Sequence, residues 1–579
     1  MRTVLAVLVL TVLVVVFPDA LMQVPKRPDF SYGNLTELES RTTGSVNGTQ
    51  AYSYALELER IGLDHSVSGY SFRAGGSDGA TASAMWIREQ FQSLGLETRL
   101  ESFEFTTWNM ITPPTLSIDE DGAPETSGDQ TLMDSFQPEH YSWPTPEGGT
   151  YADLVVLPLP SASHEIGADP IDIALWNTID TLGKIVLIGR EVRWNHTWEH
   201  VYTEKLTAQP PAAVIYTWWY EAQASAPPSF SSTGGKPAPR LDGFGSYYWN
   251  LRIPVGWVNY DQGSMIRDEE SSSNVSARVT IPAVIGTGLH YNVVGDLPGT
   301  DHPEKSVIVM GHYDSVVDAG FLDNAAGTAA VIELARIFAN TTHGGWYNSS
   351  YMLRFVALAS EELGYVGAVH YVRQHKTEMG NIVAVINLDC LGSDNFTVAR
   401  TEPAEDFDLD ELVMKAAGDL GITASLADLG SSDHVVFRNP VEGDDVLSYC
   451  WPGFDAGISD AVPVDSSTML ISYPLSYSST SDPSTVGWIH TSYDNSTSTN
   501  TLKWLEIDDL EKQTKVASLT VLRLSPSSQR TAESLPLSPW ILGVAATALV
   551  TTAIAVVYVI VKLRKSHAPK VTQTECEDD

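Results

Sequence analysis

Residues 305–338 read KSVIVMGHYDSVVDAGFLDNAAGTAAVIELARIF. The run from Lys305 to Met310 is short, apolar and rich in β-branched side chains, which predicts a buried strand. Asn324 to Phe338 is rich in alanine, which predicts a helix. Between them lies a loop carrying His312, Asp314 and Asp323. The strand–loop–helix texture continues downstream: strands over Tyr351–Ala359 and Ile382–Leu388, helices over Gly364–His375 and 407–419, and a charged amphipathic helix over 502–519. Apolar strands alternating with helices imply an α/β fold, a mostly parallel central sheet flanked by helices on both faces.

Upstream, 21–50 is polar and reads as loop. Helices are expected at 51–60 and 80–94, the second stopped by Gly95, and a strand at Glu97–Phe105. A stretch rich in Pro, Gly, Ser and Thr covers 106–150. It separates the N-terminal part of the main domain, 21–135, from an inserted β-rich domain at 140–285. Strands are expected there at 151–159, 183–190 and 212–217, with a weaker one at 252–260. His196, Glu199 and His200 cluster near Trp194 and Trp198, and read as a surface loop or domain contact. The main domain then runs over 286–522.

Both ends are apolar. Met1-Arg2 precedes a greasy run from Val4 to Phe17, with Ala20 near an expected cut, so 1–20 has the proportions of a signal peptide. Residues 540–561 are uncharged and long enough to cross a bilayer as a helix. Lys562, Arg564 and Lys565 follow and favour the cytoplasmic side. The expected layout is an external or luminal body, a stalk at 523–539, one transmembrane helix and a short cytoplasmic tail at 562–579. That places the protein at the cell surface or in a membrane of the secretory pathway. Sequons at Asn34, Asn47, Asn195, Asn274, Asn340, Asn348, Asn395 and Asn495 agree with a glycoprotein.

The 34 Lys+Arg against 72 Asp+Glu give a formal charge of −38. Nucleic-acid binding needs a basic footprint, so nucleic acid is excluded as a partner. The three cysteines, Cys390, Cys450 and Cys576, are too few for a disulfide scaffold or a thiolate zinc cluster. Cys390 and Cys450 could pair in an oxidising compartment.

Chemistry gathers at strand ends. KSVIVM leads to His312 and Asp314, with Asp323 nine residues further on. YMLRFVALAS leads to Glu361-Glu362, and IVAVINL to Asp389. Open α/β sheets place sites at such ends. Carboxylates brought together repel unless a cation neutralises them. Oxygen and imidazole donors without thiolate suit Zn²⁺, Mn²⁺ or Co²⁺.

The segments YNVVGDLPGT (291–300), VIVMGHYDSV (307–316), AGFLDNAAGTAAVIELAR (319–336), FVALASEELGYVGAVHYV (355–372), VAVINLDCLG (383–392), SSDHVVF (431–437) and IHTSYD (489–494) together resemble the M28 family of zinc aminopeptidases and carboxypeptidases. The resemblance implies two Zn²⁺ and a peptide substrate. It implies that His312 and Asp389 hold one metal, Glu362 and His490 the other, and Asp323 bridges them. Glu361 is implied as the general base and Asp314 as the carboxylate that orients His312. Asp433 and His434 match a supporting element. A tyrosine that precedes this element in some members is missing, leaving Tyr449, Tyr473 and Tyr477 as candidates to support an oxyanion. The 140–285 segment resembles a protease-associated domain through GKIVLIGR, AAVIY and RIPVGWVNYDQG. An aminopeptidase is favoured, because arginines able to read a substrate carboxylate are scarce near the motifs: Arg336, Arg354, Arg373, Arg400 and Arg438. A carboxypeptidase or dipeptidase on the same site, and a non-catalytic ectodomain of the same fold, stay open.

Overall fold

The computed structural model describes residues 35–67, 72–119, 130–158, 170–189, 204–218, 252–272, 274–316, 318–401, 408–429, 432–451, 454–472, 489–490, 494–497 and 505–525. The expected signal peptide, stalk, transmembrane helix and tail lie outside these residues, as do His196, Glu199 and His200. Among the described residues no helix is long and apolar enough to cross a membrane.

Among the described residues there are sixteen strands: β1 (Glu97–Met110), β2 (Thr115–Asp119), β3 (Gln130–Leu132), β4 (Gln137–Pro138), β5 (Thr150–Leu157), β6 (Ile185–Gly189), β7 (Ala213–Thr217), β8 (Val255–Val258), β9 (Ser276–Thr280), β10 (Ala283–Leu297), β11 (His302–His312), β12 (Tyr351–Leu358), β13 (Ile382–Asp389), β14 (Thr397–Ala399), β15 (Ser425–Ala427) and β16 (Ser467–Ile471). They form two eight-stranded sheets. The first has the order β1-β10-β12-β11-β13-β16-β14-β15 and the second β3-β2-β9-β5-β6-β7-β8-β4.

The first sheet is parallel through its centre and again at its β14–β15 edge. β12, β11, β13 and β16 run together, while β1, β10 and β14 join antiparallel. The sequence reading of a mostly parallel sheet therefore holds for the four central strands, and the sheet as a whole is mixed. The central strands are buried on both faces, from Val307 to His312 in β11 and from Leu353 to Leu358 in β12, which is why they read as continuous apolar runs. Two groups of helices cover them. Helices Gly48–Asp64, Asp78–Ser93, Gly327–His343 and Ile507–Leu524 pack together, and Val366–Gln374, His434–Arg438 and Pro440–Cys450 form a separate group.

The second sheet is an insertion into an antiparallel pair. β1 and β10 stay in register from Glu97↔Asp296 to Met110↔Ala283. Ile111 N then donates to Pro282 O at 2.7 Å. The chain thus leaves and re-enters the first sheet at one point, and the insert spans 111–282. The expected boundary near 140 lies inside it, because the Pro- and Gly-rich stretch holds the short strands β2, β3 and β4. Alternating side chains of β6 divide between two cores, Ile185 and Leu187 joining the main one and Val186 and Ile188 a smaller one around Trp176 and Trp257.

One expected loop is helical. Glu37–Gly44 is a helix whose Thr36 accepts from Glu39 N, while the Glu39 side chain accepts from Thr36 N at 2.7 Å. This reciprocal cap satisfies two otherwise orphaned amides. Cys390 and Cys450 are buried and not joined in a disulfide.

Candidate metal centre

Parallel pairing of β12, β11 and β13 brings their carboxyl ends to one edge. His312 is the last residue of β11 and Asp389 the last of β13. β12 ends at Leu358, and a single turn over Glu361–Leu363 presents the paired glutamates. Three non-glycine residues at this edge, Ser360, Cys390 and His490, have φ near +60°. That left-handed conformation costs bulky residues free energy and is kept where the surroundings enforce it. At Ser360 and Cys390 it turns the chain just past the ends of β12 and β13.

Asp323 lies at the centre. His312 Nε2 is 3.3 Å from its Oδ1, and His490 Nε2 is 2.9 Å from its Oδ2. Each imidazole faces a second carboxylate, Asp389 Oδ1 at 3.5 Å from His312 and Glu362 Oε1 at 3.3 Å from His490. Candidate ligand atoms of His312, Asp323 and Asp389 all lie within 4.8 Å of one another, as do those of Asp323, Glu362 and His490, and those of His312, Glu361 and Glu362. The structure thus brings together all six residues singled out for the centre.

The surrounding bonds fix these groups. His312 Nδ1 lies 3.2 Å from the Asp314 backbone carbonyl and 3.5 Å from its Oδ1, and the Asp314 carboxylate also accepts from Glu361 N and Glu362 N at 3.0 and 3.2 Å. One side chain therefore orients the histidine and the glutamate turn. Asn324, unremarked in the sequence, accepts from Gly327 N and Cys390 N and donates to Leu388 O, tying the Asp323 turn to the end of β13. Gly327 is required there, since a Cβ would sit 2.2 Å from Asn324 Oδ1. Asp494, four residues past His490, accepts from Leu322 N and Asp323 N at 2.7 and 3.1 Å. From the SSDH element it is Ser432 that donates to Asp389 Oδ2, at 2.7 Å. His434 sits nearby with its Nε2 3.2 Å from Leu429 O, and Asp433 is fully buried. Tyr473 and Tyr477 lie outside the described residues, as does the side chain of Tyr449.

The electrostatics suit a cation. Burial pushes Glu362 up to about 8, with the charges of Asp323 and Glu361 acting the same way and His490 opposing. Burial also disfavours charged imidazoles, yet the facing carboxylates outweigh it and raise His312 and His490 well above the ordinary histidine range. Burial raises Asp323, but the two imidazoles overcome it and hold its carboxyl below the usual range. Glu362 Oε1 and Asp389 Oδ1 are buried and accept no hydrogen bond among the described residues. Nitrogen and oxygen donors so placed, with orphaned lone pairs, fit a Zn²⁺-type ion.

A pH effect follows. Without metal, Glu362 is pushed up to about 8 and both histidines are biased toward their protonated forms. A cation needs them deprotonated, so binding releases protons and tightens as pH rises. Titrating chelated protein with zinc in buffers of different ionisation enthalpy should show net proton release at pH 7 and stronger binding at pH 8 than at pH 6. Proton-neutral, pH-independent binding contradicts this account.

Comparison with known proteins agrees with the site. Residues 292–511 match the model of Peptidase family M28. Over this region the chain is similar to peptidase family M28. A probable zinc metalloprotease of Pyrenophora teres f. teres (strain 0-1) is 34% identical over 157 residues, 26% of this chain and 30% of that protein. Aminopeptidase YwaD of Bacillus subtilis (strain 168) is 27% identical over 288 residues, 47% of this chain and 54% of YwaD. The chain therefore spans less than two thirds of the length of these curated relatives. The structure of BSAP, a zinc aminopeptidase from Bacillus subtilis, is similar in fold, with a TM-score of 0.56 at 21% identity over 84% of this chain and 96% of that one. The matched region runs from within β10 into the helix Ile507–Leu524, and so contains all six residues of the centre.

Proposed function

We propose that the protein is a two-zinc exopeptidase that removes N-terminal residues from peptides. The observation that carries this reading is the double facing of Asp323, one oxygen toward each histidine, with a separate carboxylate completing each half. A carboxylate shared in this way suits two cations about 3.5–4 Å apart. His312, Asp323 and Asp389 would hold one, and Asp323, Glu362 and His490 the other. Bound there, zinc would supply Lewis acidity toward a peptide carbonyl and acidify water at neutral pH. Glu361 has the general-base role: it takes the proton of the attacking water and returns it to the leaving amine. Asp314 holds the Glu361 amide, which points that carboxylate at the same place through each cycle.

The preference for the amino terminus rests on charge. Of the five arginines near the motifs, Arg336, Arg354 and Arg400 are paired with Glu333, Asp296 and Asp428, Arg438 donates to the Arg400 carbonyl, and Arg373 is exposed. A substrate carboxylate would need a free guanidinium, while the acidic surroundings of the centre suit an ammonium. Peptides with free and acetylated N-termini, and with free and amidated C-termini, assayed with and without chelator, test this. Chelator-sensitive cleavage lost only on acetylation is expected. Loss only on amidation would instead establish a carboxypeptidase. We further propose export and a single C-terminal membrane anchor, supported by sequon asparagines that face solvent at Asn47, Asn274, Asn340 and Asn395. Protein made in a eukaryotic secretory host should lose mass on treatment with an N-glycosidase, and an unchanged mass would count against export.

A further inference from the structure

Arg73 is completely buried, yet none of its hydrogen bonds goes to a carboxylate. Its Nε donates to Tyr313 O at 2.9 Å, Nη1 to Ala319 O at 2.5 Å and Nη2 to Gly320 O at 2.7 Å. Its own carbonyl accepts from Ser315 N at 3.3 Å. All four bonds fall on the loop between His312 and Asp323, one cluster just after the histidine and the other just before the aspartate. Gly320 has φ of 54°, and a Cβ there would lie 3.1 Å from Arg73 Nη2. Asp323 O and Ser315 Cβ would lie closer still, at 2.4 Å, so the crowded loop and its left-handed backbone call for glycine there.

The segment around Arg73 also reaches the other ligand turn. A Cβ on Gly75 would lie 2.7 Å from Ser360 Oγ, next to Glu361. Tyr141, from the inserted sheet, donates to Gly75 O at 3.1 Å. Residues 73–75 therefore form a buried strap between the loops that carry His312, Asp323 and the glutamates. A planar fork suits three carbonyls spread over eight residues, and a lysine ammonium cannot span them. Burial disfavours the charge and lowers the guanidinium from its usual range, while the nearby carboxylates of Asp318, Glu59, Asp494 and Asp314 favour it.

We propose that Arg73 is a positioning residue that sets the spacing of His312 and Asp323, and through it the affinity and alignment of the metal pair. This rests on the two-metal reading. Charge and geometry make opposite demands. Arg73 is a cation near a cation site, so deleting its charge alone would tighten metal binding. Loosening the loop weakens it. Geometry dominates in this proposal.

The experiment measures zinc affinity by competition with a chromophoric chelator, for the wild type, Arg73→Lys and Arg73→Gln, beside thermal melting of each chelated protein and kcat and KM on a free-amine peptide. Both variants should bind zinc about 10- to 100-fold more weakly, the range for losing a group that supports a ligand. The loss should fall mainly on kcat. Arg73→Lys keeps charge and stem, so it is the variant expected to fold well. Wild-type zinc affinity in folded Arg73→Lys, or tighter binding by Arg73→Gln, overturns the proposal. So does failure of Arg73→Lys to fold, which would make the residue a folding requirement only. Failure of the wild type to bind two zinc ions would instead sink the two-metal reading.

Discussion

Glu361→Gln should keep both zinc ions and lose turnover, with kcat falling about 10²–10⁴-fold, the contribution typical of a positioned general base. The amide matches the carboxylate in shape, and the backbone bond from Glu361 N to Asp314 is untouched. The turn should therefore survive and KM should change little. The measurement has a built-in contrast. Glu361 also lies close enough to His312 and Glu362 to belong to a ligand group. Were it a ligand, zinc content would fall with activity. Were it the base, zinc stays and only the proton transfer is lost. Metal analysis of the purified variant separates the two, and near-normal kcat would remove Glu361 from the mechanism.

Much of this centre was legible because its chemistry sits where strands end. A buried parallel strand announces itself by an unbroken apolar run, so the ends of β11, β12 and β13 could be located and the residues just beyond them read as a group. His490 had no such strand before it and entered only through family resemblance. The supporting groups were harder to see. Arg73 lies 240 residues from Tyr313, and no periodicity links a polar FRAGG segment to a distant loop. Asn324 and Asp494 stood inside quoted motifs, but their work is to accept backbone amides, which sequence spacing does not display. Ser432 was hidden by the more eye-catching Asp433-His434 beside it. The insert boundary was misplaced because short strands rich in turn residues resemble a linker. The first helix was missed although Thr36 and Glu39 spell a reciprocal cap, a signal that was available at the right spacing.

Asp323→Asn should have the second large effect, and on metal rather than on proton transfer. The aspartate is the one side chain whose two oxygens face both histidines, at 3.3 and 2.9 Å. An amide keeps its size but offers one oxygen and no charge, so neither half retains its full donor set. Zinc stoichiometry should fall from two to at most one, and the remaining affinity should drop as well. Losing several kcal/mol of charge stabilisation at the reacting carbonyl corresponds to a fall of at least about 10³-fold in kcat/KM. The rise in melting temperature on adding zinc should shrink in proportion, since only bound metal stabilises the fold. Two control variants make the result specific. Asp389→Asn touches the His312 half and Glu362→Gln the His490 half, so each should lose one zinc and leave the other. Asp494→Asn leaves all direct ligands intact but weakens the hold on the Leu322 and Asp323 amides, and should show a smaller loss of affinity. If Asp323→Asn retains two zinc ions at wild-type affinity, Asp323 does not bridge, and the two halves must be separate sites that share an edge of the sheet without sharing a ligand.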